Sequence, residues 1–96
     1  MKVQWTEAAK SDLVRLYAFL EPVAPDAAAM AIGSLIRALD RFAEYPRIGE
    51  KLDLYAPREI RRIKVGRYDM HYEIVDATIL ILRVWHSRKD RGQGRT

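Results

Sequence analysis

Apolar residues recur at helical spacing through the first half of the chain. After a short apolar run at residues 3–5, Thr6 is a candidate helix N-cap, and Glu7 follows near the positive end of the helix dipole. The apolar stripe of this first helix consists of Ala9, Leu13, Leu16, Tyr17 and Leu20. Its charged residues are predicted to fall largely outside the stripe: Lys10, Asp12 and Arg15. The pattern predicts a short strand and then a helix that ends near Glu21, which precedes a proline.

A second stripe follows a short link that contains Pro22. Its members are spaced alternately by four and three: Ala28, Ile32, Leu35, Leu39 and Phe42. This spacing predicts a helix from near Pro25 to about Glu44, which Tyr45 and Pro46 end. Two amphipathic helices joined by a short link predict a helical hairpin, whose stripes meet each other and still leave apolar surface to cover a sheet.

Period-two alternation replaces the helical period after Pro57, beyond a stretch that we interpret as a loop. Residues 61–65 and 68–75 predict a β-hairpin around Gly66, because glycine suits the first central position of a type II′ turn. The register of this hairpin predicts one apolar face: Ile63, Val65, Tyr68, Met70, Tyr72 and Ile74.

The same register predicts a polar face on the other side of the hairpin. It places Lys64 opposite Asp69 and Arg62 opposite His71. We weigh two roles for Arg62 and Lys64. They either anchor an anionic partner or form ion pairs with Asp69 and Glu73 across the hairpin.

Residues 78–85 predict a third strand of this sheet, and its apolar run at residues 79–82 suits a central position. A two-residue turn before it would send Arg83 to the apolar face and Val84 to the polar face, whereas a three-residue turn would reverse them. We favour the three-residue turn because it avoids burying a guanidinium. The predicted fold is α+β in the order β-α-α-β-β-β, with the helical hairpin packed on one face of a twisted antiparallel sheet.

Length and composition restrict the class of protein. The 96 residues predict a single domain, 1–96, in which residues 89–96 form a flexible basic tail. A hydrophobic fraction of 49% suffices for a core, and the lack of cysteine excludes disulfides and thiolate chemistry. With two histidines at unsuitable spacing and no glycine-rich phosphate loop, we predict no metal and no cofactor. No signal peptide or membrane span is recognisable, which predicts a cytoplasmic protein.

Charge is distributed unevenly along the chain. Residues 1–57 carry 7 Lys and Arg against 8 Asp and Glu, whereas residues 58–96 carry 10 against 5. The excess positive charge therefore lies on the strand-rich half and its C-terminal end. This distribution has two interpretations: a site for a phosphate-rich or acidic partner, or a positive charge that serves solubility alone.

Five segments resemble the RelE/ParE superfamily of toxins from type II toxin–antitoxin systems, and the ParE branch most closely. They are residues 9–13, 42–49, 58–62, 68–74 and 81–88. The resemblance implies a toxin that binds and inhibits DNA gyrase, that is neutralised by a cognate acidic antitoxin, and that forms a hetero-oligomer with it. The set of target-binding residues that we predict on this basis is Arg62, Arg83, His86, Arg88, Lys89 and Arg91.

The RelE branch provides an alternative function, ribosome-dependent cleavage of mRNA. Attack by a ribose 2′-hydroxyl needs a proton acceptor, a proton donor and cations at the phosphate. The resemblance implies the candidates Arg62, Lys64, Arg83, His86 and Arg88. The chain departs from that branch at Asp69, where RelE has an arginine, and no tyrosine follows Tyr72. A third hypothesis is a toxin-like relic that is retained only as a binding partner.

Overall fold

The computed structural model describes residues 1–86, which form a five-stranded sheet covered by two helices. Their bounds are β1 Lys2–Trp5, α1 Glu7–Leu20, α2 Pro25–Glu44, β2 Glu50–Lys51, β3 Glu59–Val65, β4 Tyr68–Val75 and β5 Thr78–His86. The order of strands across the sheet is β1-β5-β4-β3-β2. The predicted α+β class, with the helical hairpin on one face of the sheet, is confirmed.

Both helices begin and end close to the predicted residues. The Thr6 side chain caps α1, because its hydroxyl oxygen accepts a hydrogen bond from the Ala9 backbone N–H at 3.1 Å. Pro25 occupies the first turn of α2, where its missing N–H costs nothing. The prediction for Asp12 is wrong, since this residue is buried and only 4% exposed.

The β3–β4 hairpin has the predicted register. Val65 pairs with Tyr68, and Lys64 lies opposite Asp69. Gly66 has a φ of 61°, in the left-handed region that side chains avoid, which agrees with its predicted place in the turn. The short strand β2 and a 3-10 helix at Asp53–Tyr55 were not expected, because this stretch of sequence shows no periodicity.

Strand β5 reaches the predicted side-chain orientation for a different reason. The turn before it has two residues, since Val75 pairs with Thr78, so the three-residue turn is wrong. A β-bulge corrects the register instead: Ile81 pairs with Tyr72 and Arg83 with His71, which leaves Leu82 as the extra residue. Val84 therefore lies in the core as expected.

The direction of β1 differs from the prediction of an antiparallel sheet. β1 runs parallel to β5, with Val3 opposite Ile79 and Trp5 opposite Ile81, so the sheet is mixed. A parallel pair needs a long crossover connection, and the two helices together with strands β2, β3 and β4 lie between β1 and β5 in the chain. The N-terminal strand thereby covers one edge of the apolar strand β5.

The core lies between the sheet and the helical hairpin. Phe42 of α2 stacks on Tyr72 of β4, with ring centroids 4.8 Å apart. The buried cluster comprises Ala9, Leu35, Ala38, Phe42, Met70, Tyr72, Ile74, Ile79, Ile81 and Val84. Partly buried residues of the same face surround it, including Ile63, Val65 and Tyr68. All six residues of the predicted apolar hairpin face thus contribute to the core or its margin.

Tyr72 also fixes the loop between α2 and β2. Its hydroxyl donates a hydrogen bond to the Pro46 carbonyl and accepts one from the Gly49 N–H, both at 2.9 Å. Arg61 donates to the Gly49 carbonyl at 2.6 Å. A Cβ atom on Gly49 would lie 2.7 Å from the Tyr72 hydroxyl, so the close approach requires glycine.

A pair of arginines holds Glu59 next to this loop. Arg47 bonds the carboxylate through two nitrogens at 2.8 and 3.0 Å, and Arg61 adds a third bond at 3.0 Å. The hydrogen bond from Arg47 keeps the pKa of Glu59 below its ordinary value, although partial burial opposes this. Arg61 therefore serves the fold, at the margin of the core where the alternation places it.

Candidate functional site: the distal face and the end of β5

The sheet has a second face, turned away from the helices, which we call the distal face. Cross-strand pairing places there Arg62 and Lys64 of β3, Asp69, His71 and Glu73 of β4, and Arg83 and Trp85 of β5. Three described members of the predicted site thus share this face by register: Arg62 and Lys64 lie two apart in β3, and Arg83 lies in the same cross-strand row as Arg62, beyond His71.

Arg62 and Lys64 differ in their ionic partners. Arg62 lies 3.3 Å from the carboxylate of Glu50 on β2, a single contact between two solvent-exposed groups. Such a pair contributes only about 0–1 kcal/mol, so Glu50 is readily displaced. Lys64 is exposed and lies opposite Asp69. Among the ion pairs within residues 1–86, none joins these two residues.

Glu73 forms its ion pair with Arg58 rather than with Arg62. Arg58 bonds the buried Glu73 carboxylate through two nitrogens, at 3.0 and 2.8 Å. These hydrogen bonds lower the pKa of Glu73, and the same contact raises the pKa of Arg58. The alternative in which Glu73 neutralises Arg62 is therefore not what the structure shows, and Arg62 keeps its charge available at the surface.

His71 lies beside Arg62, in a place that sequence reasoning did not single out. It is directly opposite Arg62 on β3, and its ring meets that of Trp85 edge-on with centroids 4.5 Å apart. The strand register could have identified it, since it predicted the pair of Arg62 and His71. Basic and aromatic side chains thus adjoin one another on the distal face.

His86, by contrast, lies on the helix-covered side of the sheet. It pairs with Tyr68, and the two rings meet edge-on at 5.4 Å. Tyr68 packs against the core cluster, so its cross-strand partner shares that side. His86 therefore does not join Arg62 and Lys64 in one cluster.

Arg83 is bound to a helix. Its guanidinium bonds the Asp12 carboxylate of α1 through two nitrogens, at 2.8 and 3.1 Å. Burial by itself would raise the pKa of Asp12, but the hydrogen bonds from Arg83 and from the Val84 N–H, together with the charges of Arg83 and Arg15, hold it below the ordinary value. Asp12 is a residue that sequence reasoning missed, although its spacing from Ala9 and Leu16 places it beside the apolar stripe.

The remaining predicted site residues lie outside the described part of the chain. These are Arg88, Lys89 and Arg91, together with the predicted tail at residues 89–96. Up to His86, no group of three or more His, Asp or Glu side chains is arranged to hold a metal ion. No helix in that range is long and apolar enough to cross a membrane.

The sequence matches one protein family over residues 3–91, described as the ParE toxin of type II toxin–antitoxin systems, parDE. None of the curated proteins matches the chain significantly. The fold is similar to the chromosomal ParDE TA system from P. aeruginosa, with a TM-score of 0.74 and 19% identity over 90% of this chain and 95% of that chain.

Two further solved structures are complexes of RelE-type toxins. The RelBE2 toxin–antitoxin complex from Mycobacterium tuberculosis has 30% identity and a TM-score of 0.56, covering 88% of this chain and 95% of that chain. The RelB–RelE antitoxin–toxin complex from Methanococcus jannaschii has 18% identity and a TM-score of 0.54, covering 93% and 95%.

Fold and sequence together define a toxin of the RelE/ParE superfamily. Because the family match extends over residues 3–91 of 96, the chain belongs to the ParE toxins of type II toxin–antitoxin systems. The resemblance seen in the sequence is confirmed at the level of the family.

Proposed function

We propose that this toxin inhibits DNA gyrase by binding and that a cognate acidic antitoxin neutralises it. The target-binding surface consists of Arg62 and Lys64 on the distal face together with the basic residues Arg88, Lys89 and Arg91. The ParE family match supports the choice of target. Five of the ten Lys and Arg residues in the strand-rich half belong to this surface, which supports an anionic or acidic contact.

The observation that carries the choice of binding over catalysis is the separation of the candidate catalytic residues. RNA cleavage needs its proton acceptor, proton donor and cations around a single phosphate. Arg62 and Lys64 lie on the distal face, whereas His86 pairs with Tyr68 on the opposite side. Arg83 shares the distal face by register, but its guanidinium bonds Asp12 of α1. Among the described candidates, the cations and the candidate proton donor His86 therefore start from opposite faces of the sheet, and binding does not require them to converge on one point.

The antitoxin would cover both charged and apolar parts of the toxin. Several apolar side chains of the helical hairpin are exposed, including Phe19, Val23 and Met30. An acidic segment with apolar residues would neutralise the basic surface and bury these side chains, either as an added strand or as a helix laid in a groove. The similar structures from a ParDE TA system and from the RelBE2 toxin–antitoxin complex support such a partner.

The test compares two targets with the same protein. Purified toxin is incubated with gyrase and supercoiled plasmid, and in parallel with translating ribosomes. We expect linearised plasmid, which marks trapped cleavage, and intact mRNA. Cut mRNA with unaffected gyrase would contradict the proposal, and inactivity in both assays together with unimpaired growth would favour the relic.

Paired substitutions test the surface itself. We expect Arg62→Gln with Lys64→Gln to raise the toxin concentration for half-inhibition about tenfold, the equivalent of about 1.4 kcal/mol. Arg37→Gln with Arg41→Gln removes the same charge from exposed positions of α2, on the other side of the molecule. An equal loss in this control would show that net charge alone matters.

One observation favours mRNA cleavage as a second candidate function. His71 is the one histidine of the chain that lies opposite Arg62, and histidine readily exchanges protons near neutral pH. If the toxin is a nuclease, His71→Gln should abolish cleavage at unchanged ribosome binding. If it is a gyrase inhibitor, the same variant should remain active within a few fold.

A further inference from the structure

Strand β5 loses its neighbour partway along its length. β1 pairs with it only as far as Trp5 and Ile81, after which the chain turns into α1. The Thr6 backbone N–H donates to the Ile81 carbonyl at 3.1 Å, and the Thr6 hydroxyl donates to the Leu82 carbonyl at 3.0 Å. β4 still pairs with the other edge of β5 as far as His86, but on the edge that β1 leaves, backbone groups beyond Leu82 must find partners elsewhere, because unpaired buried groups are costly.

Asp12 provides the next partner. Its carboxylate accepts the Val84 backbone N–H at 2.8 Å, so a side chain occupies the place of the absent strand. The same carboxylate accepts two bonds from Arg83, the residue next to Val84. Arg15 adds a bond at 2.6 Å from a side chain that is 67% exposed. Asp12 itself is 4% exposed, so its carboxylate is buried although both arginines extend into solvent, and the bond to the Val84 N–H is the most protected from water.

This contact lies next to the bulge at Leu82. The bulge decides which side chains of the last residues of β5 face the helices, since a shift of one residue exchanges the two faces. With it, Val84 enters the core and Trp85 meets His71 on the distal face. Without it, Trp85 would turn to the core side and Val84 to the distal face.

We propose that Asp12 is a positioning residue of the toxin: by binding Arg83 and Val84 it holds the bulge in β5 and so directs Trp85 to the distal face, beside His71. The functional part of this proposal rests on the proposed function, in which the distal face contacts the target. In this proposal Arg83 helps Asp12 to hold the bulge in β5, and Arg83 does not have to contact the target for the toxin to act.

The test uses Asp12→Asn and Arg83→Gln, each with Arg15→Gln as the matched control. Asparagine keeps the size of the side chain but has one oxygen, so it cannot accept from Val84 and from both nitrogens of Arg83. Arg15 also bonds Asp12, but within residues 1–86 it forms no hydrogen bond or ion pair with β5. Amide exchange of Val84 and the cross-strand contact of Met70 with Val84, both measured by NMR, report the bulge directly.

We expect both test variants to stay folded and to exchange the Val84 amide at least tenfold faster than the wild type. When protein levels are measured across a series of expression levels, growth arrest should require at least tenfold more of either variant than of the wild type. The double variant should be no worse than the worse single variant, because the two residues act as one unit. Arg15→Gln should match the wild type in every measurement. If Asp12→Asn does not fold, Arg83→Lys, which keeps the charge but loses the two-nitrogen contact, replaces it.

Two results would overturn the proposal. Unchanged Val84 exchange and an unchanged Met70 contact in the test variants would show that Asp12 does not hold the bulge. A lost contact with full growth arrest would show that the bulge does not matter for toxicity. Growth arrest is independent of the target, so a wild-type toxin that arrests growth without affecting gyrase refutes only the proposed target. A wild-type chain that leaves growth unharmed refutes the toxin's role and the functional part of this proposal together.

Discussion

Removing the hydroxyl of Tyr72 tests whether the loop between α2 and β2 is anchored as the structure indicates. Tyr72→Phe keeps the ring that stacks on Phe42 but deletes both hydrogen bonds of the hydroxyl. Tyr72 is fully buried, and Gly49, whose N–H would lose its acceptor, is buried as well. The substitution therefore removes the hydrogen-bond contribution of Tyr72 to the free energy of unfolding and leaves its packing contribution in place.

The expected magnitude follows from these two bonds. A buried donor left without a partner costs about 1–3 kcal/mol, and a lost bond to a more accessible carbonyl such as that of Pro46 costs about 0.5–1.5 kcal/mol. We expect a loss of about 2 kcal/mol in the free energy of unfolding. For a domain of this size that corresponds to a decrease in Tm of roughly 8–16 °C. A typical domain stability of about 5–15 kcal/mol leaves the variant folded.

The assay is urea denaturation followed by circular dichroism, with Tyr68→Phe as the control. Tyr68 is only partly buried, and its contact with His86 is made by the ring rather than by the hydroxyl. We expect the control to lie within about 0.5 kcal/mol of the wild type. A loss below about 0.5 kcal/mol in Tyr72→Phe, with unchanged exchange of the Gly49 amide, would refute the anchoring role.

Two further predictions concern stability. The pKa values of Asp12, Glu59 and Glu73 are lower in the folded protein than in the unfolded chain. Their contribution to the free energy of unfolding is therefore fully present above the unfolded-state pKa values near 4, and it is lost as pH falls through the folded-state values. The urea midpoint should decrease below about pH 4, and a midpoint that stays level down to about pH 2 would contradict this. Thr6→Ala should cost about 1–2 kcal/mol, since it removes both the cap of α1 and the bond to Leu82; a change under about 0.3 kcal/mol would contradict it.

The sequence predicts the helices and the β3–β4 hairpin closely because local chemistry determines them. Thr6 and Pro25 set the starts of the helices, and Gly66 sets the turn between β3 and β4. The register then follows from alternation, since only one pairing collects all the apolar residues on one face. These are the features for which short-range signals and burial agree.

Long-range geometry was harder to predict. No local signal shows that β1 runs parallel to β5, because this pairing joins the two ends of the described chain. Glu50–Lys51 was missed as a strand because two residues are too few to show alternation. The bulge at Leu82 also has no characteristic residue, such as a glycine, that would indicate it in the sequence. From the sequence we placed the needed shift in the turn at Asp76, although a longer turn and a bulge both bring Val84 into the core.

The candidate site could be predicted only in part because ion pairing depends on tertiary contacts. Cross-strand register located Arg62 and Lys64 correctly on one face, but it did not show that Arg58 takes Glu73 or that Glu50 approaches Arg62. The basic residues after His86 lie outside the described chain, so their place in the site stays a prediction.

Asp12 shows how such a contact could be inferred from sequence. It follows Ala9 by three residues and precedes Leu16 by four, so all three lie on one side of α1, where a carboxylate must be paired when it is buried. Arg83 is the only Lys or Arg between residues 68 and 87, so it is the one basic residue of this kind in β4 and β5 that can form an ion pair with Asp12. Burying its guanidinium on the apolar face was rejected as too costly, and the structure resolves this conflict by bulging the strand. The ion pair and the bulge are thus two consequences of one requirement, that Val84 reach the core while Arg83 reaches Asp12.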